Sequence, residues 1–115
     1  MDALLTLAGA LGLAASVLHS VLGELRVVRP STAPTLAAKR VLHAIMLLSG
    51  VYWAALGVAL LAAPFLENAE LRLAIAYTGA AVYLTAAAAN AWAMNFKHFG
   101  WIVLGVAGLA AAAGA

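Results

Sequence analysis

The sequence predicts an all-α integral membrane protein that folds as a bundle of four transmembrane helices. The chain of 115 residues is 67% hydrophobic and only 9% charged, whereas water-soluble domains carry about 25% charged residues. A helix that crosses a bilayer needs roughly 20 apolar residues, so this length suffices for four spans and little else. The apolar runs are too long for strands and lack their strict alternation of apolar and polar residues. We therefore predict one transmembrane domain over residues 1–115.

Four apolar runs are separated by short polar segments, and each run predicts one span. The spans cover about residues 3–22, 41–63, 71–94 and 99–115. A basic loop, 23–40, follows the first span, and Thr35 near its end is a candidate N-cap for a helix that begins outside the hydrocarbon. Pro64 ends the second span, and Asn68 is the candidate cap of the third. The fourth run is the shortest, so it either includes the residues just before it or stops short of the far interface.

The positions of the basic residues predict the orientation of the bundle. Lysine and arginine in short loops accumulate on the cytoplasmic side of a membrane. The first and third loops lie on the same side and hold Arg26, Arg29, Lys39, Arg40 and Lys97. The second loop holds only Arg72. We therefore expect both termini to lie outside the cytoplasm and the basic loop 23–40 to lie inside it.

This topology places all three histidines at the cytoplasmic end of the bundle. His19 lies near the end of the first span, His43 just inside the second, and His98 at the start of the fourth. Glu24 and Asn90 lie at a similar depth. Ionisable groups within a membrane usually face the interior of a bundle or a cavity. We therefore take the three histidines and Glu24 as candidate ligand-binding or metal-binding residues.

Other residues are expected to support this polar cluster or to pack the helices around it. The candidates for support are Asn90, Tyr83, Ser20 and Trp101. Positions seven apart lie about 20° from one another around an α-helix, so the faces that carry the histidines continue toward the membrane centre as small residues. Small residues allow membrane helices to approach closely. The glycines predicted to pack in this way are Gly12, Gly50, Gly57, Gly105 and Gly108.

Several functions are compatible with this cluster. Three imidazoles beside a carboxylate suit a transition metal such as zinc, copper, nickel or iron. Two of the histidines would suit a b-type haem, with Arg26, Lys39 or Arg40 pairing its propionates. A proton relay in a small homodimeric transporter is a third alternative. Histidines also lie at membrane interfaces without any ligand, and Glu24 then pairs with Arg26 or Lys39.

Composition excludes other functions. The absence of cysteine excludes disulfides, thiolate metal sites and cysteine nucleophiles. The net charge of +2 reflects the basic loops and does not indicate nucleic acid. No serine has an obvious base with an orienting acid, so the sequence does not favour an enzyme.

We predict a non-enzymatic binding or accessory subunit, because the chain is almost entirely transmembrane. The glycine-rich faces and the short fourth run favour a homo-oligomer or a larger membrane complex.

Aromatic residues could line a hydrophobic pocket for a quinone or a lipid, although most of them lie where interfacial anchors are expected. Trp53 is the exception, because it lies near the middle of the second span.

Two short motifs carry a resemblance to a known family. The stretch His-Ser-Val-Leu-Gly-Glu occupies residues 19–24, and His-Phe-Gly-Trp occupies residues 98–101. The chain resembles small bacterial four-helix membrane proteins of unknown function, in which a similar first stretch closes helix one and a His-x-Gly-Trp motif opens the last helix. Members often have proline where this chain has Phe99. The resemblance implies a multi-pass protein of the bacterial inner membrane, and it singles out His19, Glu24, His98 and Trp101 without supplying an activity.

Overall fold

The computed structural model describes residues 1–115 as four helices joined by short connections, without any strand. The helices are α1 (Asp2–Gly23), α2 (Leu36–Ala62), α3 (Ala69–Ala93) and α4 (Gly100–Ala113). The prediction of an all-helical chain is therefore confirmed. With their short extensions, α1, α2 and α3 are long and apolar enough to cross a membrane. With 14 residues, α4 is about 21 Å long at 1.5 Å per residue, which is less than the roughly 30 Å of a hydrocarbon core.

The connection between α1 and α2 is shorter than the predicted loop 23–40. The chain does not leave its helical path after Gly23, because Glu24–Val28 continues α1 as a π-helical turn. Val28 is buried at the end of this turn, so burial of an apolar side chain favours the extension. The second helix begins at Leu36, and the Thr35 hydroxyl accepts a hydrogen bond from the Ala38 N–H at 3.1 Å. The prediction of Thr35 as an N-cap is confirmed.

The ends of α3 follow from local sequence signals. At its start, the Asn68 carbonyl oxygen accepts a hydrogen bond from the Leu71 N–H at 2.9 Å, so the predicted cap is confirmed. At its end, Asn95 and Phe96 have φ values of 49° and 60°. The Phe96 N–H donates to the Ala91 carbonyl at 2.9 Å, which is the long-range bond of a Schellman termination. Left-handed backbone is strained for phenylalanine, and it turns the chain sharply toward α4.

The four helices form two hairpins that meet along α1 and α4. The first helix packs against α2 and α4, the third packs mainly against α4, and α2 and α3 share a smaller contact. The core between them is rich in alanine, and its largest fully buried side chains are Tyr83, Leu5, Leu60 and Leu104. Because α1 has a neighbour on two sides, small side chains are needed on two of its faces.

The contact between α1 and α2 depends on glycine. A Cβ atom added at Gly9 would lie 2.7 Å from the Gly57 carbonyl oxygen, and one added at Gly57 would lie 3.0 Å from the Gly9 carbonyl oxygen. Further along the same interface, the buried Ser16 hydroxyl donates to the Gly50 carbonyl at 2.7 Å. The backbones of the two helices therefore touch without intervening side chains.

The remaining predicted packing glycines differ in how tightly they pack. A Cβ atom at Gly12 would collide with the Tyr83 hydroxyl, and one at Gly108 would lie 2.7 Å from Leu84 Cγ. At Gly105 the nearest atom, the Ala87 Cβ, would be 4.0 Å away, which is an ordinary contact. Gly105 therefore does not require a glycine for packing.

We predict that Gly9→Ala lowers the free energy of unfolding by about 1–3 kcal/mol, because the added methyl group forces two backbones apart. Gly105→Ala is the matched control. It adds the same methyl group within a helix and is expected to leave stability unchanged or to increase it, since alanine has the higher helix propensity. Thermal or denaturant unfolding in a mild detergent measures both. Equal destabilisation by the two substitutions would contradict the glycine contact described above.

Candidate ligand-binding cavity

A cavity of about 300 Å³ lies between the helices at the end where α1 becomes the π-helical turn. Its walls are contributed by all four helices, and 11 of its 17 lining residues are hydrophobic. The polar side chains among the rest include His19 of α1, Asn90 of α3 and His98 from the turn before α4. An apolar wall with a few convergent polar groups is typical of small-molecule sites, whose volumes begin at roughly 300 Å³.

His19 is held by two residues of α2. Its Nε2 atom lies 2.7 Å from the Ser49 hydroxyl oxygen, and the Ser49 hydroxyl donates to the Ile45 carbonyl at 2.8 Å. Because the single hydroxyl hydrogen is used there, we assign the His19 hydrogen to Nε2, which leaves Nδ1 as an acceptor. The Trp53 ring packs on the imidazole at 4.5 Å between centroids. This contact, together with the cavity wall, explains an aromatic side chain near the middle of a span.

His98 is oriented by the backbone of α4. The Gly100 N–H donates to His98 Nδ1 at 3.0 Å, so the hydrogen of the neutral ring lies on Nε2. The ring of Phe99 stacks on the imidazole at 4.7 Å. A Cβ atom at Gly100 would lie 2.9 Å from His98 Nδ1 and 3.4 Å from Asn90 Oδ1. The glycine therefore allows the histidine and the asparagine to approach the same corner of the cavity.

Two buried polar atoms near this end have no hydrogen-bond partner, namely Asn90 Oδ1 and Trp101 Nε1. A buried polar group without a partner costs about 1–3 kcal/mol, so such atoms are uncommon in folded proteins. Asn90 belongs to the cavity wall. Trp101 instead packs edge-on against Phe96 at 5.5 Å.

Glu24 and His43 lie outside this cavity and interact with each other. Glu24 Oε2 is 3.0 Å from His43 Nδ1, and Glu24 Oε1 is 3.3 Å from Arg29 Nε. The expected partners of Glu24, Arg26 and Lys39, are not the ones that it contacts. The reason is that the π-helical turn brings Arg29 beside the carboxylate, while Lys39 donates to the Arg29 carbonyl at 3.4 Å.

The four candidate ligand residues are therefore divided into two pairs. His19 and His98 line the cavity, whereas Glu24 and His43 line a neighbouring shallow groove together with Lys39 and Arg40. No three histidine, aspartate or glutamate side chains lie close enough together to hold a metal ion.

Of the residues expected to support the cluster, Asn90 lines the cavity, whereas Ser20 and Tyr83 lie outside it. The Ser20 hydroxyl packs against Gly50 in the α1–α2 interface. Tyr83 is fully buried, and its hydroxyl donates to the Trp53 carbonyl at 3.0 Å, which ties α3 to α2 behind the cavity.

Three residues that shape the cavity are not among the predicted ligand or supporting residues. Ser49 and Trp53 lie four positions apart on α2, a spacing that puts them on one helix face, and this spacing was an available signal. Arg26 lines the cavity, although it was considered only as a partner for Glu24 or for haem propionates. Arg26 lies seven residues after His19, so helical spacing places both on one face once the helix continues past Gly23.

We predict that the three histidines differ in the position of their ring hydrogen. In neutral imidazoles at about pH 9, His19 and His98 should carry it on Nε2, whereas His43 should carry it on Nδ1, which faces Glu24. Nitrogen-15 NMR of selectively labelled protein distinguishes the two forms, with His→Gln variants for assignment. An Nδ1-protonated ring at His19 or His98 would show that the hydrogen bonds around the cavity are different.

Comparisons with known proteins do not identify a relative of this chain. No protein-family model, no curated protein and no solved structure matches the chain. The resemblance to small bacterial four-helix membrane proteins therefore stays a prediction, and the cavity must be interpreted from its own chemistry.

Proposed function

We propose that this chain is a non-enzymatic binding protein of the bacterial inner membrane, which holds an amphipathic small molecule in the cavity between its two hairpins. The observation that carries the proposal is the convergence of His19, Asn90 and His98 from three parts of the chain onto one largely apolar cavity. Polar side chains are costly within a membrane unless they face an interior that uses them.

The shape of the cavity supports one extended ligand. Along α1 the wall runs from Ala15 to Val27, which corresponds to about 18 Å at 1.5 Å per residue. A volume of about 300 Å³ distributed over this length is narrow. Arg26 and His98 lie at the end of the wall near the basic connection, and the other end is formed by side chains such as Ala15 and Leu104. This arrangement suits a molecule with an apolar chain and a polar head.

The proposed placement in the membrane puts the cavity at the cytoplasmic side. The three long helices and the shorter α4 form the four predicted spans, with both termini outside and the basic connection inside. The excess of lysine and arginine in the first and third connections supports this orientation.

We also propose that the protein works as an accessory subunit, either as a homo-oligomer or within a larger membrane complex. Support comes from α2, which is the most exposed of the three long helices: of its 27 residues only Gly50, Gly57 and Leu60 are buried. Its outer face carries large apolar side chains such as Ile45 and Tyr52. Lipid or another subunit covers this face. The metal alternative has no comparable support, since no three histidine, aspartate or glutamate side chains lie together. Haem binding and proton transport stay predictions.

We predict that bromooctanol quenches the fluorescence of Trp53 saturably in detergent-purified protein, because the bromine enters the cavity that this ring lines. Ala93→Phe should weaken this quenching at least roughly tenfold, because Ala93 lines the cavity and has an exposed side chain that can be enlarged without disturbing the core. Ala88→Phe, at an exposed position of the same helix outside the cavity, is the matched control.

Trp53→Phe should abolish the saturable component, whereas Trp92→Phe should retain it because Trp92 is 84% exposed and does not line the cavity. Quenching that stays linear with bromooctanol concentration, or that is equally weak or equally strong in Ala93→Phe and Ala88→Phe, would reject the cavity as a binding site.

A further inference from the structure

We infer that the cavity selects a single-chain amphiphile with an anionic oxygen head group, a carboxylate or a phosphate, and that Arg26 binds this head. The inference rests on the proposed function, since it names the class of molecule that the same cavity takes. It is carried by the charge and hydrogen-bonding groups of the cavity wall.

Arg26 is the only charged residue among the 17 that line the cavity. It takes part in no ion pair, although the chain forms ion pairs at Arg29 and Arg72. Neither aspartate nor glutamate is present in the wall. A guanidinium remains charged at any physiological pH, so the cavity attracts an anion and repels a cation.

The one nearby carboxylate is directed away from Arg26. Glu24 precedes Arg26 by two positions, and residues two apart on a helix lie on nearly opposite sides. Glu24 accordingly lines the neighbouring groove, where it contacts Arg29 and His43, while Arg26 lines the cavity. The other acidic residues of the chain, Asp2, Glu67 and Glu70, lie at the far end of the bundle. The charge of Arg26 is therefore left without an opposing partner.

A second donor lies in the same wall. The hydrogen bond from Gly100 to His98 Nδ1 leaves the hydrogen of the neutral ring on Nε2, where it can be donated to an oxygen atom. Guanidinium groups bind carboxylate and phosphate oxygens through two parallel hydrogen bonds. Arg26 and His98 thus supply hydrogen-bond donors, and the wall contains no carboxylate that would accept these hydrogen bonds in place of a ligand.

The position of Arg26 orients the ligand. It lies seven residues after His19, which is about 10 Å further toward the end of the bundle. The head group consequently lies at the end of the cavity near the basic connection, and the chain runs past His19 and Trp53 toward Leu104. Long basic side chains commonly place their charge at the membrane interface in this way.

Three brominated probes of equal chain length test this inference through Trp53 quenching, namely bromooctanoate, bromooctanol and bromooctyltrimethylammonium. In the native chain, the carboxylate should bind at least roughly tenfold more tightly than the alcohol, because a charge-assisted hydrogen bond is about twice as strong as a neutral one. The cation should bind most weakly. Arg26→Gln should bring the carboxylate-to-alcohol ratio of affinities to about one.

Arg40→Gln is the matched control, because it removes the same charge from the neighbouring groove and should leave that ratio unchanged. Equal affinity for the carboxylate and the alcohol in the native chain, or an unchanged ratio in Arg26→Gln, would overturn the inference while leaving the proposed function intact. Saturable binding of none of the probes would overturn both.

Competition separates the head group from the chain. Octyl phosphate should displace bromooctanoate, whereas inorganic phosphate at the same concentration should not, because the apolar wall contributes to binding. If inorganic phosphate displaces bromooctanoate as well as octyl phosphate does, the site binds a free anion, and the assignment of a single-chain amphiphile is overturned.

Discussion

The arrangement of the four helices depends on the close contact between the backbones of α1 and α2 at Gly9 and Gly57. Each glycine lies where a methyl group would meet the carbonyl oxygen of the other helix. The Ser16 hydroxyl bonds to the Gly50 carbonyl along the same line and keeps the two helices in register. Between membrane helices such contacts replace the hydrophobic effect, because lipid chains are as apolar as the side chains that they compete with.

The helices are tightly packed where Gly9 meets Gly57, and the cavity lies toward the opposite end of the bundle. Behind the cavity, Tyr83 fits over Gly12 and bonds to the Trp53 carbonyl, so the two hairpins are joined at this level. Toward the basic end the wall contains small residues such as Gly23 and Ala93, and the space between the helices is not filled. The narrow volume left there is lined by the polar side chains of His19, Asn90 and His98.

The separation of Glu24 from Arg26 turns this cavity into a selective one. A regular helix that ended at Gly23 would leave both side chains in a loop, free to pair. The π-helical turn instead gives them opposite directions, with Glu24 held by Arg29 and His43 and Arg26 at the cavity. Such turns are frequent at functional sites in other helices. Here the extended helix leaves Arg26 at the cavity without a carboxylate partner.

The sequence was sufficient for the helical class, the two caps and the placement of His19 and His98 at one end. These depend on composition, on local hydrogen bonds and on the order of the helices. The sequence was insufficient for the pairing of His43 with Glu24, because the direction of a side chain around its helix depends on how that helix packs. Arg26 is a different case: its spacing of seven residues from His19 places both on one face, provided that the helix continues past Gly23. The boundaries of loop 23–40 were wrong for a related reason, since burial of Val28 extends the helix.

Intermolecular NOEs between octanoate and the protein in detergent show whether the bound chain lies inside the bundle or on its surface. Trp53 and Tyr52 are neighbours on α2, but only Trp53 lines the cavity, while Tyr52 is 66% exposed on the outer face. The expected result is a set of NOEs from the octanoate chain to the rings of Trp53 and His98, which belong to different hairpins. NOEs confined to Tyr52 and other outward residues would contradict it, because octanoate would then lie on the surface of the bundle.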